Sequence, residues 1–319
     1  MLKAEEIDIA FALLRSAISG EAPALDNKPI ETDVWWNVFK LVQQHHVVAL
    51  SYDGAAMSGV PRKVIMPWLA EREKAVEWHH YQSGVQQDIV NVMQRNDIPI
   101  RVLKGTHLAQ YYHQPELREF VDLDFYFGDR HTEADELARK ELHIAIDTKP
   151  HHHTKFNYRG VTVESHYDFF NRHYPASNRK YNCILDSLGT STTFDVLHFL
   201  RHAAIHFASQ GLKMRDLCDW AFIVASASDV DWNMVKATMK SFGMSDFVAT
   251  LDSVTHSRLG VASPLWDNCP TGFEKKLEKD MFQDSHAGGK CGHGWKRSLA
   301  FSDSSISLLI HKVISHLSH

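Results

Sequence analysis

Cysteine is scarce in this sequence and forms none of the close pairs that bind structural metals. The four cysteines, Cys183, Cys218, Cys269 and Cys291, lie far apart along the chain. This spacing excludes a Cys-x-x-Cys zinc module and a dense disulfide framework. It favours a reducing compartment, so we expect a cytoplasmic protein.

Long hydrophobic runs and a surplus of basic charge are also missing. No stretch of about 18 apolar residues occurs, so neither a transmembrane helix nor a membrane partner is expected. The N-terminus is acidic and lacks the apolar centre of a signal peptide. The formal net charge of -5 argues against long nucleic acid as a partner, although a local basic pocket stays open. Nothing in the sequence indicates an oligomeric state.

The 319 residues suffice for two or three structural units, and their patterns change twice along the chain. Residues 1–97 and 171–319 carry apolar residues at helical spacing, whereas residues 98–170 alternate apolar and polar positions. We therefore predict an α+β fold, in which a small mixed sheet is flanked by N-terminal and C-terminal helical regions. Within the first region, the pattern predicts a loop over Gly54–Pro61 and a long helix over Pro67–Arg95.

The most informative stretch begins the alternating region and reads as strand, tight turn, helix and strand. Pro115 breaks the helix before the second strand begins. The predicted elements are the strand Ile100–Leu103, the turn Lys104-Gly105, the helix Thr106–Tyr112 and the strand Val121–Phe127.

Asp122 and Asp124 share one face of that second strand, because side chains alternate along a strand. Two neighbouring carboxylates repel each other, and a divalent metal ion is the simplest partner for them.

A hairpin further along supplies a third acid. The strands Lys155–Tyr158 and Val161–His166 are joined through Arg159-Gly160, and Glu164 lies on one face of the second strand with Thr162 and His166. A short strand is also predicted at Ile144–Ile146.

These motifs resemble the nucleotidyltransferase superfold of DNA polymerase beta, in which a glycine turn at a helix start precedes an Asp-x-Asp strand. More narrowly, residues 60–225 resemble the uncharacterised bacterial nucleotidyltransferases of the type 5 group. The matching positions are Lys104-Gly105, Tyr111 or Tyr112, Pro115, Arg118, Asp122, Asp124 and Glu164-Ser165-His166-Tyr167.

The resemblance implies a magnesium-dependent transfer of an NMP group from ATP or another nucleoside triphosphate to a hydroxyl of a small molecule or protein. It implies that Asp122, Asp124 and Glu164 hold two Mg²⁺ ions and act as catalytic residues. It further implies a triphosphate site, whose residues are Lys104, Gly105, Thr106 and Arg118. The chain departs from the superfold in having threonine after the glycine, and in a longer gap before the acids.

Two other functions stay open at this point. The first is a nucleotide-binding or regulatory module that kept the fold and lost the chemistry. The second is a metal-dependent hydrolase built on His198, His202 and His206, which repeat at helical spacing but lack the glutamate of a His-Glu-x-x-His site.

Several further residues have two interpretations each. Arg215, Asp216 and Asp219 position a substrate or form a structural network at a helix start. The run His151-His152-His153 contacts substrate phosphate or binds metal adventitiously. The glycine-rich stretch with His286, Cys291 and His293 is a weak zinc candidate, and a final helix is predicted over Ser305–Leu317.

Overall fold

The computed structural model describes residues 3–26, 28–149, 153–170, 177–265 and 269–282. The chain divides into two compact units, one of Met1–Glu71 with Leu188–His319 and one of Arg72–Ser187. The helices α1 to α12 of the described residues are Ala4–Ser19, Thr32–Gln44, Val48–Met57, Arg62–Arg95, Gly105–Ala109, His131–Leu142, Ser177–Ser187, Thr192–Ser209, Met214–Ser226, Trp232–Ser241, Ser245–Leu259 and Phe273–Met281. The strands β1 to β4 are Arg101–Leu103, Asp122–Tyr126, His153–Tyr158 and Val161–His166. The predicted α+β class is confirmed.

The first unit is helical in its described part. Helix α1 packs against α2, α3, α9 and α11, and its apolar side chains from Ile9 to Leu14 are almost completely buried. Asp252 of α11 lies within this unit and accepts hydrogen bonds from the Trp220 indole Nε1 at 2.7 Å and from the Ser263 hydroxyl at 2.7 Å. A buried carboxylate with these donors ties α9 to α11.

The predicted loop over Gly54–Pro61 is confirmed only from Ser58 onward, because α3 continues through Gly54 to Met57. A Cβ atom on Gly54 would lie 3.2 Å from both the Cα and the carbonyl oxygen of Leu13 in α1. The glycine therefore permits two helix backbones to approach closely, and it does not break the helix.

The long helix α4 begins at Arg62, five residues before the predicted start at Pro67. Proline removes one backbone donor from the interior of the helix. The first turns are nevertheless held by burial, since Val64 and Trp68 are completely buried and the Trp68 indole donates to the Val48 carbonyl at 3.1 Å.

A four-stranded mixed sheet in the order β1-β2-β4-β3 organises the second unit. Strand β2 is antiparallel to β1 and parallel to β4, and β3 and β4 form an antiparallel hairpin. Arg159 and Gly160 join the hairpin with φ angles of 50° and 78°, as a type I′ turn requires. The prediction of this hairpin is confirmed.

One face of the sheet is apolar and packs on α4 and α6. The Gln82 side chain of α4 also donates to the Val121 carbonyl at 3.0 Å, which fixes the start of β2. The buried residues of this core are Val85, Ile89, Met93, Ile98, Phe120, Leu123, Phe125, Phe127, Ala134, Ala138, Phe156, Val161 and Val163. Because this face is filled, polar residues of the same strands collect on the opposite face.

The predicted strand at Ile144–Ile146 is wrong. Residues 143–146 adopt no regular structure, and pairing with β3 is limited to a bridge between Asp147 and Lys155. Ile144 and Ile146 are partly buried against the core, so their alternation reflects packing without strand pairing. Helix α5 is also shorter than predicted, ending at Ala109 instead of Tyr112.

Among the described residues, no helix combines the length and apolar character needed to cross a bilayer.

Candidate active site

The register of the sheet brings the three predicted acids to one face. Asp124 of β2 is paired with Glu164 of β4, and Asp122 is paired with Thr162. Residues paired across neighbouring strands point to the same side, as do residues two apart on one strand. Asp122, Asp124 and Glu164 therefore share the polar face, opposite the apolar core.

Two basic side chains join the carboxylates of this face. The Lys104 Nζ atom lies 2.6 Å from Asp124 Oδ1. The His166 Nε2 atom lies 3.0 Å from the same oxygen and 3.6 Å from Glu164 Oε2. Asp124 and Glu164 are thus close enough to contact a single imidazole ring. Asp124 is 1 % exposed, so its charge is compensated within the protein.

The three acids differ in how the site affects their ionisation. Burial raises the pKa of Asp122 above its ordinary value, and the charges of Asp124 and Glu164 raise it further. Burial alone would raise the pKa values of Asp124 and Glu164 as well. Lys104 and His166 outweigh burial there, so that both pKa values lie below the ordinary range. Asp122 is the carboxylate that lacks sufficient positive charge, and a bound cation would relieve it.

Lys104 reaches the acids from a strained turn. Its φ and ψ angles are 47° and −134°, and Gly105 follows with a φ of 30°. Positive φ is costly for lysine and free for glycine, so the surrounding packing must hold this conformation. A Cβ atom at Gly105 would lie 3.4 Å from Phe120 Cδ2 and 3.5 Å from the Asp122 carbonyl oxygen. The turn therefore packs directly on the strand that carries the acids. Burial lowers the pKa of Lys104, but Asp124 and Asp122 outweigh burial and raise it.

Arg118 and Thr106, predicted to contact phosphate, make protein contacts around the same turn. Arg118 is 5 % exposed, and its Nη1 atom donates to the Gly105 carbonyl at 3.0 Å. The Thr106 hydroxyl donates to the Gln86 side chain. In this structure, Arg118 braces the turn and Thr106 anchors α5 to α4.

The sequence analysis gave no site role to Lys155, placed His166 only within the matching family motif, and left His153 as either a phosphate contact or an adventitious metal ligand. The Lys155 Nζ atom lies 3.1 Å from Glu164 Oε1, and the His153 Nε2 atom lies 3.7 Å from it. The two-residue turn after Tyr158 fixes the hairpin pairing, so that counting back from it places Lys155 opposite Glu164 and His153 opposite His166. This signal was present in the sequence.

Three of these side chains form a group with metal-ligand composition. One ligand atom each from His153, Glu164 and His166 lies within 4.8 Å of the others. Burial and the charge of His166 lower the pKa of His153, which is about 4 despite the opposing effect of Glu164. Glu164 belongs both to the three acids and to this group of two histidines and one glutamate, so the two sets of side chains are neighbours.

The other candidate residues lie in the helical unit. His198, His202 and His206 form a row on α8 as predicted, with ring centroids 6.3 Å and 3.9 Å apart. Asp216 accepts a hydrogen bond from the Lys213 backbone at the start of α9, at 2.7 Å. This contact agrees with the helix-start interpretation of Asp216.

His151, His152, His286, Cys291 and His293 lie outside the described residues. So does the final helix predicted over residues 305–317.

Comparison with known proteins adds a family assignment. Residues 31–260, more than half of the chain, match the sequence profile of a family described as uncharacterised nucleotidyltransferase. Neither the curated proteins nor the solved structures include a match. The matched range contains the whole sheet, its acids and the turn at Lys104. The resemblance predicted from the Lys-Gly and Asp-x-Asp motifs is thereby confirmed, and the chain belongs to this nucleotidyltransferase family.

Proposed function

We propose that this protein is a magnesium-dependent enzyme that transfers an NMP group from a nucleoside triphosphate to a hydroxyl acceptor. One observation carries the proposal. Asp122, Asp124 and Glu164 share one face of two adjacent strands, beside the strained Lys104 turn. Family membership agrees with this reaction class.

The donor set fits magnesium. Mg²⁺ prefers oxygen ligands and is commonly bound by one or two carboxylates together with substrate phosphates. Asp122 and Asp124 would hold it, with Glu164 completing the set. The Lys104 ammonium at Asp124 is already a cation held by these acids, which indicates a local field that attracts positive charge. Bound magnesium would neutralise charge on the phosphate oxygens and lower the pKa of the acceptor hydroxyl.

The protein's own groups would position the triphosphate and move a proton. Lys104 is 20 % exposed, so its ammonium is available to a phosphate oxygen while it remains near Asp124. Arg118 supports this role indirectly, through its hydrogen bond to the Gly105 carbonyl. We assign Lys104 to direct phosphate contact and Arg118 to positioning of the turn. Gly105 and Thr106 would offer backbone N–H groups to the same phosphates.

The reaction forms one bond and breaks one. The acceptor oxygen attacks the α-phosphorus, the bond from that phosphorus to its bridging oxygen breaks, and pyrophosphate leaves. The hydroxyl proton passes to a carboxylate of the acid cluster, the group formed by Asp122, Asp124 and Glu164. Little covalent chemistry is asked of the protein, since alignment and charge stabilisation supply most of the rate.

The acceptor is a small molecule or a protein side chain. The net charge of -5 opposes binding of a long polyanion through the general surface of the protein. A small acceptor needs only a local contact at the polar face of the sheet.

The test is a thermal unfolding assay with ATP, CTP, GTP and UTP in turn, each with and without Mg²⁺. At about 100 times its dissociation constant, a bound nucleotide should stabilise the folded protein by about 2.7 kcal/mol. Asp122→Asn should lose the part of the shift that requires magnesium. Asp129→Asn is the matched control, because Asp129 is an exposed aspartate just beyond the same strand.

Two results would refute the proposal. One is the absence of a shift with any nucleotide. The other is an equal magnesium-dependent shift in Asp122→Asn. A nucleotide shift that requires magnesium and Asp122 but is accompanied by no transfer to any acceptor would instead support the binding module.

A further inference from the structure

A second metal-ligand group lies at the hairpin edge of the polar face. His153 and His166 are paired across β3 and β4, and Glu164 lies two residues before His166 on the same face. Directly opposed residues of an antiparallel pair have Cβ atoms about 5 Å apart. The backbone register alone therefore brings two imidazoles and one carboxylate together.

The distances between the ligand atoms are close to those found around a coordinated metal ion. The Nε2 atoms of His153 and His166 lie 3.7 Å and 3.6 Å from the two oxygens of Glu164. Ligands about 2.1 Å from a tetrahedral zinc ion are about 3.4 Å from each other. The three ligand atoms lie within 4.8 Å of one another, so the side chains would draw closer together around a bound ion. The side chains are only 12 %, 3 % and 15 % exposed in the order His153, His166 and Glu164, which limits competition from water.

The ligand types distinguish this group from the acid cluster. Imidazole suits zinc and other transition metals, whereas magnesium prefers oxygen. We propose that His153, Glu164 and His166 bind one transition-metal ion, with Zn²⁺ as the best-fitting ion. Two histidines and one glutamate are a zinc ligand set that leaves a fourth position open. The site does not depend on the proposed transferase activity.

Neighbouring charges permit this binding. Lys155 contacts Glu164 at 3.1 Å, but its side chain is 46 % exposed and can move into solvent when an ion arrives. Asp124 Oδ1 lies 3.0 Å from His166 Nε2 and 2.6 Å from the Lys104 Nζ atom, so it stays paired with Lys104 outside the three-residue group. Because Glu164 belongs to both groups, zinc should weaken magnesium binding and inhibit any magnesium-dependent reaction.

The test is a titration of the chelator-treated full-length protein with Co²⁺, read by the visible absorption of the bound ion, followed by displacement with Zn²⁺. We expect one ion per chain at this site. His153→Gln should weaken that binding about 100-fold or more, since even loss of a residue behind a ligand costs 10- to 100-fold. His166→Asn should act similarly, which provides a second variant at the same site.

Two control variants distinguish this metal site from the acid cluster and from the histidine row of α8. Asp122→Asn lies outside the set and should keep the Co²⁺ site while it loses magnesium binding. The double variant His202→Gln with His206→Gln disrupts the histidine row of α8 and should also keep the site. His153→Gln should unfold in chelator at nearly the wild-type temperature, and it should retain any stabilisation by magnesium.

Three outcomes would overturn the proposal. These are the absence of a stoichiometric ion in the wild type, unchanged affinity in His153→Gln, and loss of the ion in the α8 double variant. Failure of magnesium binding with retention of the Co²⁺ site would count against the transferase instead, so the two proposals fail separately.

Discussion

Replacing Asp122 with asparagine should make the metal-free protein more stable. Burial raises the pKa of Asp122 above the ordinary value of 3.8, and repulsion by the carboxylates of Asp124 and Glu164 raises it further. Asparagine keeps the shape of the side chain and removes the charge. Like charges held together in a functional site destabilise the folded protein, so removing one of them should raise the free energy of unfolding.

The size of this gain follows from the geometry of the strand. Asp122 and Asp124 are two residues apart on one face, a separation of about 7 Å. The repulsion of two unit charges at that distance is about 0.6 to 2.4 kcal/mol for effective dielectric constants of about 80 to 20. Attraction to Lys104 offsets part of it. We expect a net gain of about 1 kcal/mol, or about 2 to 4 °C in unfolding temperature.

The gain should depend on pH in a defined direction. The folded-state pKa of Asp122 is raised, so ionised Asp122 destabilises the fold above that pKa. As the pH falls through the folded-state pKa towards 3.8, the wild-type residue becomes protonated and the difference between the two proteins shrinks.

The assay is thermal unfolding in chelator and then in Mg²⁺, over a series of pH values. Wild type should gain stability from magnesium, Asp122→Asn should gain little, and Asp129→Asn should match wild type in both conditions. A variant that is less stable than wild type in chelator, or equally stabilised by magnesium, would refute this account of the acid cluster.

Three further substitutions test other contacts. Lys104→Met leaves Asp124 buried without its ammonium, so we expect a loss of about 3 kcal/mol in urea unfolding, partly restored by magnesium; an unchanged midpoint would contradict the pairing. Gly105→Ala places a side chain at positive φ and should cost about 1 to 2 kcal/mol in the same assay, whereas a neutral effect would show that the turn is relaxed. Asp252→Ala should cost about 1 to 3 kcal/mol by calorimetry, because the Trp220 indole loses its buried acceptor, and Asp252→Asn should cost less; equal losses would argue for the charge instead.

Strand periodicity predicted that Asp122 and Asp124 share one face of their strand, and the two-residue hairpin turn fixed the face of β4 that carries Glu164. The convergence of all three acids was implied by the family resemblance, because it depends on the parallel pairing of β2 with β4. The same hairpin arithmetic also specifies His153 opposite His166, but a run of three histidines is equally consistent with phosphate contact or adventitious metal binding. Local sequence rules therefore predicted the strand positions of the acids more definitely than the role of the histidines beside them.

Long-range packing accounts for the predictions that were wrong. Glycine often ends a helix, so the sequence at Gly54 suggests a loop. Only the proximity of Leu13 on another helix reveals that this glycine permits close packing. Ile144 and Ile146 alternate like a strand because they pack on the core. Pro67 has the features of a helix start, and the burial of Val64 and Trp68 extends the helix across it. The Gly54 and Pro67 cases depend on contacts between residues distant in sequence, those of Gly54 with Leu13 and of Trp68 with Val48.

The turn at Lys104 and Gly105 shows a different limit of prediction from sequence. The sequence identified Lys104 and Gly105, but the positive φ of the lysine is imposed by its surroundings. Arg118 had the charge expected of a phosphate clamp, and its burial beneath the Gly105 carbonyl is a tertiary contact. Charge and spacing in the sequence cannot distinguish an arginine that contacts a ligand from one that supports a turn.

The most direct test of nucleotidyl transfer is the fate of the α-phosphate. A cell extract should be incubated with the purified protein, Mg²⁺ and a nucleoside triphosphate labelled at the α-position, with γ-labelled nucleotide in parallel. We predict that α-label appears in an acceptor, that γ-label does not, and that both chelator and Asp124→Asn abolish the transfer. Transfer of the γ-label, or equal transfer of the α-label by Asp124→Asn, would contradict the central claim.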